Sequence, residues 1–187
     1  MKREISERTI LDKFVIDFCR ILETHARYAV VSGFVAIAHG RARGTEDIDI
    51  IIEKLAPEKF EKLHRDLIKN NFVCVQSDKP DIIYQDYLSE FSSVRYTWKD
   101  RPLPEIELKF AKDELDNLQL QERRKYPLTE LDIWFATIES NIAFKEEYLK
   151  SDKDLEDARH LRIIYENELD EGKIREIKKL IRKIKLK

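Results

Sequence analysis

The segment Asp47-Ile-Asp-Ile-Ile-Ile52 alternates charge and bulk in a way that suits an extended strand. In a strand, residues i and i+2 face the same side. Asp47 and Asp49 therefore stand side by side, while Ile48 and Ile50 turn the other way, into a core. Two like charges on one strand face repel unless water or a cation intervenes. Set in a cleft, the pair is costly without a cation and well suited to bind a hard one through oxygen. Two divalent ions about 3.5–4 Å apart, bridged by such carboxylates, clamp the attacking and leaving oxygens of an in-line phosphoryl displacement. An edge strand with a wet face offers the same Asp-x-Asp pair, so the flanking segments must decide between the two.

Upstream, Tyr28-Ala-Val-Val-Ser-Gly33 reads as a short buried strand that stops at Gly33. A short helix follows over residues 34–39, ended by Gly40 as a C′ glycine. A helix N-terminus beside a tight turn is a ready anion site. There Gly33 lets backbone approach a phosphate and the Ser32 hydroxyl hydrogen-bonds it. Arg41 and Arg43, on the loop leading to the aspartates, neutralise phosphate charge. Thr45 steadies the start of the strand.

The run Val31-Ser-Gly-Phe-Val-Ala-Ile-Ala-His-Gly-Arg-Ala-Arg-Gly-Thr-Glu-Asp-Ile-Asp-Ile50 resembles the signature of the DNA polymerase β-type nucleotidyltransferase superfamily. It is most similar to the small bacterial and archaeal branch that includes minimal and toxin–antitoxin nucleotidyltransferases. That pattern is a strand, a Gly-Gly or Gly-Ser pair, a helix, Asp-x-Asp, and a third carboxylate on a later strand. The signature spans residues 30–52, and weaker likeness continues to about residue 165. The third acid maps onto Glu107 in Pro104-Glu-Ile-Glu-Leu-Lys-Phe110, where Ile106 and Leu108 flank it as Ile48 and Ile50 flank Asp49. Glu105 shares its face and competes for the role.

The resemblance implies a metal-dependent enzyme that moves a nucleoside monophosphate from an NTP to a hydroxyl acceptor, with pyrophosphate leaving. Asp47, Asp49 and Glu107 would be its catalytic residues and hold Mg²⁺ (or Mn²⁺). Ser32, Gly33, Arg41, Arg43, Thr45 and Lys145 would bind the nucleotide. Lys145 has two readings: a phosphate ligand, or a lysine whose stem covers apolar surface while its ammonium reaches water. The acceptor stays open among an RNA end, a protein side chain and a small molecule. The rival function is a non-catalytic module of the same fold, antitoxin-like, that contacts a partner protein. One departure favours the rival, because bulky Phe34 follows Ser32-Gly33.

The remaining chain reads as α/β (α+β): a mixed sheet in a nucleotidyltransferase-type core over residues 1–112, then a helical C-terminal part over 113–187 packed on it. Leu11, Phe14, Val15, Phe18, Cys19 and Leu22 recur at helical spacing. Pro57 opens a helix to about Asn70. Residues 72–75 and 82–87 are expected strands, and 94–98 with 105–110 a hairpin. After residue 110 everything is expected to be helical. Capping boxes at Thr129-Glu-Leu-Asp132 and Ser151-Asp-Lys-Asp154 start two of those helices. Asp154 and Asp157 serve the second start. Leu131, Trp134, Phe135, Ile138, Ile142 and Leu149 form one stripe that includes Lys145.

At 42% apolar and 39% charged residues, the chain of 187 is globular and densely charged. Two isolated cysteines are too few for a disulfide framework, and no His–Cys spacing makes a zinc site. No apolar run approaches the ~20 residues of a membrane span. The opening Met1-Lys-Arg-Glu-Ile-Ser-Glu-Arg has no apolar signal core behind it, so a cytoplasmic protein without membrane contact is expected. Residues 171–187 carry eight Lys or Arg against two Glu. Ile174, Ile177, Leu180, Ile181 and Ile184 run through that tail at helical spacing, which favours a packed last helix over a nucleic-acid arm.

Overall fold

A computed structural model describes residues 9–185. Residues 1–8, on which the expectation of no signal core rests, and residues 186–187 lie outside the described residues. Among the described residues no helix is long and apolar enough to cross a membrane.

Strands β1 (Tyr28–Val31), β2 (Asp47–Ile52), β3 (Phe72–Cys74), β4 (Val94–Trp98) and β5 (Arg101–Phe110) form one mixed sheet in the order β1-β2-β5-β4-β3. β2 and β5 are parallel; the other neighbours are antiparallel. The parallel pair needs a crossover. Helix α3 (Pro57–Lys69), β3, the short α4 (Pro80–Ile82) and β4 supply it. One face of the sheet is wholly apolar: Ile48, Ile50 and Ile52 lie beside Ile106, Leu108 and Phe110, all fully buried. Helix α1 (Ile10–Glu23) and α3 close over it through Phe14, Phe18 and Phe60. Thr9 and Asp12 cap α1 reciprocally, each accepting the other's backbone N–H at 3.0 Å.

The opposite face is mostly charged. It carries only a small apolar patch, Ala29, Ile51 and Ala111 under Leu120 of α5 (Glu114–Glu122). Helix α2 (Gly33–Ala38) follows β1 directly, and α6 (Ile138–Phe144), α7 (Asp152–Ile164) and α8 (Glu171–Lys185) complete the molecule. Ser151 caps α7, accepting from Asp154 N at 3.2 Å. In α8 Ile174, Ile177 and Ile181 are buried, while Lys173, Lys178 and Arg182 pair with Glu122, Glu146 and Glu147. Three of the basic tail's cations are thus matched within the fold.

Three expectations are corrected. Residues 82–87 are helical: Pro80 starts α4, and a π-turn over Ile83–Tyr87 buries Ile83 and Leu88, five positions apart, on one side. A short apolar run does not distinguish strand from helix by period. The second strand of the hairpin begins earlier than expected, at Arg101.

The Thr129 capping box starts no helix. Thr129 Oγ1 instead donates to the Tyr126 carbonyl and accepts from Leu131 N, closing a turn whose next residue, Glu130, has φ 56°. The chain then runs extended. Val30 N donates to Trp134 O, and Ala136 N to Val30 O, each at 2.9 Å. Backbone groups on the outer edge of β1 need partners, and that requirement overrides the helical periodicity. Phe135 also exchanges backbone hydrogen bonds with Arg124, and α6 begins only after Thr137, its N-cap.

Gly40 ends the α2 segment at φ +91°, with nothing within 4 Å of an added Cβ. Gly40→Ala should therefore cost about 1–2 kcal/mol through backbone conformation alone. The check is a lower denaturation midpoint with an unchanged slope. An unchanged midpoint would mean that this turn relaxes without strain.

Candidate functional site

The parallel register sets Asp47 opposite Glu105 and Asp49 opposite Glu107, so four carboxylates share the charged face of two adjacent strands. β4 places Arg95 opposite Glu107, yet its guanidinium turns to Glu105, 3.5 Å away. Glu105 is thus engaged by a cation, whereas Glu107 faces Asp49. Burial, followed by the charges of Asp49 and Asp47, raises the Glu107 pKa. Burial also raises that of Asp49; the Ser32 hydroxyl opposes this, and Asp47 adds to it. Lys109 and Lys145 pull Asp49 the other way.

Ser32 joins β1 to α2 with φ 64° and ψ −137°. That region is costly for any residue with a Cβ, by about 1–3 kcal/mol, and such residues cluster at functional sites. Its side chain makes no cap bond to α2 and serves Asp49 instead. A Cβ on Gly33 would stand 2.3 Å from Arg43 Nη2, so the guanidinium lies directly over this glycine. Phe34 sends its ring into the core, against Phe135 at 6.4 Å, and leaves the turn clear. Thr45 Oγ1 donates to the Asp47 carbonyl at 3.0 Å.

Arg41, Arg43 and Lys145 converge, but on a carboxylate of the protein. Asp157, fully buried on α7, accepts from Arg41 Nε at 2.6 Å, Lys145 Nζ at 2.9 Å and Arg43 Nη2 at 3.0 Å. Asp154 lies 3.4 Å from Lys145. These bonds hold the Asp157 pKa down against its burial. Lys145 begins a π-turn, Lys145–Leu149, after α6 and is 1% exposed, so its ammonium does not snorkel to water.

Two cavities meet at Asp49. The larger, about 650 Å³, lies between the sheet and helices α5, α6 and α8, with Ser32, Asp49, Lys109 and Lys145 at its polar side. The smaller, about 260 Å³, is bounded by Asp49, Glu107, Lys109, Phe91 and Ser93. Lys109 and Phe91 line both. Sequence reasoning passed over Lys109 and Phe91, and gave Asp157 only a part in a helix start. Lys109 was legible by its period-two spacing from Glu107. Phe91, at φ 58° after the π-turn, and Asp157, whose partners are over a hundred positions away or on another helix, gave no local signal.

The donors on β2 and β5 are all oxygen, the chemistry a hard divalent cation prefers. The raised pKa values of Asp49 and Glu107 mark a place where added positive charge is favourable. As placed, no three His, Cys, Asp or Glu side chains among the described residues form a group that holds a metal. Gathering these carboxylates on an ion therefore takes side-chain rotation.

A scan against protein-family models finds no match, and neither does a search of curated proteins. Among solved structures the chain is similar to the antibiotic-resistance factor ANT(2'')-Ia, with a TM-score of 0.59 and 12% identity, over 94% of this chain and 93% of that one. It is also similar to an antigenic nucleotidyltransferase-like protein from Paracoccidioides brasiliensis, with a TM-score of 0.55 and 18% identity, over 92% and 88%. At such identities the likeness shows the fold, and that fold is of the nucleotidyltransferase type.

Because the Asp49 and Glu107 pKa values are raised on folding, the native state holds protons that the unfolded chain releases. Stability therefore falls as pH rises from the ordinary carboxylate range through the raised values, and the penalty is complete above them. In metal-free buffer Asp49→Asn should melt above the parent at pH 7, with the gain shrinking as acid protonates Asp49. A gain independent of pH would contradict this origin. Asp157→Asn should cost about 3–5 kcal/mol, the scale of stranding a buried charge partner. Retained stability in urea unfolding would show that the three cations find water instead.

Proposed function

We propose that this chain is a nucleotidyltransferase that moves a nucleoside monophosphate from an NTP to a hydroxyl acceptor. The observation that carries the reading is the β2–β5 register, which sets Asp49 against Glu107 beside the Ser32 turn in a fold of this type. Asp47, Asp49 and Glu107 would hold Mg²⁺ (or Mn²⁺), which supplies positive charge to the transferring phosphoryl group and lowers the pKa of the acceptor hydroxyl.

The protein's own groups then divide the work. Ser32 and Lys109, with Lys145 behind them, border the larger cavity and orient the triphosphate. The smaller cavity brings the acceptor hydroxyl beside Glu107. A Glu107 carboxylate oxygen takes the hydroxyl proton while the acceptor oxygen bonds to the α-phosphorus. The bond from that phosphorus to the bridging oxygen breaks, and pyrophosphate leaves with the electron pair. Arg41 and Arg43, bound to Asp157, act on this site by fixing the turn beneath Gly33. An NTP substrate suits a cytoplasmic protein. The acceptor presents a hydroxyl, whether on an RNA end, a protein side chain or a small molecule.

The orientation of Phe34 bears on the rival reading, a non-catalytic antitoxin-like module. Its ring is absent from the turn, so the Ser32-Gly33-Phe34 departure does not obstruct phosphate approach.

Pyrophosphate release, followed across NTPs with candidate acceptors, tests the reading. Glu107→Gln should lower turnover about a hundredfold or more while NTP affinity is kept, the scale of losing a positioned acid–base group. Glu105→Gln, whose partner is Arg95, should cost little. The reverse pattern would move the third carboxylate to Glu105. Binding of Mg²⁺–NTP without transfer to any acceptor would favour the binding module.

A further inference from the structure

We propose that the larger cavity selects its nucleotide by the base, through two buried amides, Asn141 and Gln119, that favour adenine over 6-keto purines. This rests on the nucleotidyltransferase reading and extends it to a substrate.

Asn141 lies on α6 and is 3% exposed. Its Nδ2 donates to the carbonyls of Thr137 at 3.0 Å and Ala136 at 3.3 Å. Flipping the amide would set its oxygen against those two carbonyl oxygens, so the orientation is fixed by the backbone. Oδ1 is then a hydrogen-bond acceptor of fixed position at the cavity wall. Gln119, on α5, is 5% exposed and lines the same cavity. Among the described residues nothing hydrogen-bonds its amide. Its amide is thus free to pair, as donor and as acceptor, with a ligand in the cavity it lines.

The lining also includes the apolar side chains of Leu115, Phe144, Tyr148, Leu149, Ile181 and Ile184, with Lys112, Asp113 and Asp116 as its further charged members. A ligand that fits has a flat apolar body, polar atoms confined to its edge, and an anionic tail reaching Ser32 and Lys109 at the other side. That is a nucleotide, and about 650 Å³ has room for one. The fixed Asn141 oxygen takes a hydrogen from an exocyclic amine and repels a keto oxygen at the same position. The Gln119 amide nitrogen donates to a ring nitrogen, a pairing that amide side chains make with adenine elsewhere. A purine covers more of the apolar wall than a pyrimidine, which gains further affinity.

The test is calorimetric binding of ATP, inosine triphosphate and inorganic triphosphate to the whole protein with Mg²⁺ and no acceptor. ATP and inosine triphosphate differ only at the base edge, where the 6-amino group becomes a 6-keto oxygen and ring N1 turns from acceptor to donor. ATP should bind at least tenfold tighter than inosine triphosphate, and inorganic triphosphate more weakly than either. Gln119→Leu should weaken ATP about tenfold and leave inorganic triphosphate unchanged. Equal affinity for ATP and inosine triphosphate in the parent protein, with triphosphate binding intact, would overturn base selection and leave the nucleotidyltransferase reading standing. An unchanged ATP affinity in Gln119→Leu would overturn the role of Gln119. Failure of all three ligands to bind would overturn both readings together.

Discussion

Parallel pairing of β2 with β5 lays Asp47 against Glu105 and Asp49 against Glu107, and the surrounding structure has to accommodate four negative charges on one face. The opposite face enforces this register. Ile48, Ile50 and Ile52 must meet Ile106, Leu108 and Phe110 in the core, and a slip of one residue would bury the carboxylates instead. Core packing thus holds together groups that would otherwise move apart. The neighbours soften the repulsion unevenly: Arg95 turns to Glu105, the Ser32 hydroxyl and Lys109 attend Asp49, and Glu107 is left facing Asp49. This unevenness is the reason Glu107, rather than Glu105, is proposed as the third acid.

The second constraint is the meeting of Arg41, Arg43 and Lys145 on Asp157. Buried ion clusters contribute little net stability against a packed apolar equivalent, because desolvation offsets the attraction. This one instead specifies geometry. It ties α7 and the end of α6 to the loop that precedes β2. It also holds the Arg43 guanidinium over Gly33, so the turn carrying Ser32 keeps its strained conformation beside Asp49.

Much of this was legible in the sequence where the cause is local. The aspartate pair follows from the period of two, α1 from its apolar stripe, α7 from its Ser151 cap, and the end of α2 from Gly40. Readings failed where a distant partner decided. The Thr129 box has every local mark of a helix start, yet residues 134–136 are taken up by the free edge of β1. Residues 82–87 carry enough apolar weight for a strand, and Pro80 with a π-turn makes them helical. Arg41, Arg43 and Lys145 were picked out as nucleotide-binding cations, but their meeting on Asp157 was not foreseen. Their common partner lies 114 and 116 residues from the arginines, beyond any spacing argument.

The central claim is that the β2–β5 carboxylates are a site for a divalent cation. Its most direct test is a crystal of the protein soaked with Mn²⁺ and a non-hydrolysable NTP, read by the anomalous signal of the metal. The account predicts Mn²⁺ in direct contact with carboxylate oxygens of Asp47, Asp49 and Glu107, with those side chains rotated towards it. An anomalous peak elsewhere, or none while the nucleotide is bound, would contradict it.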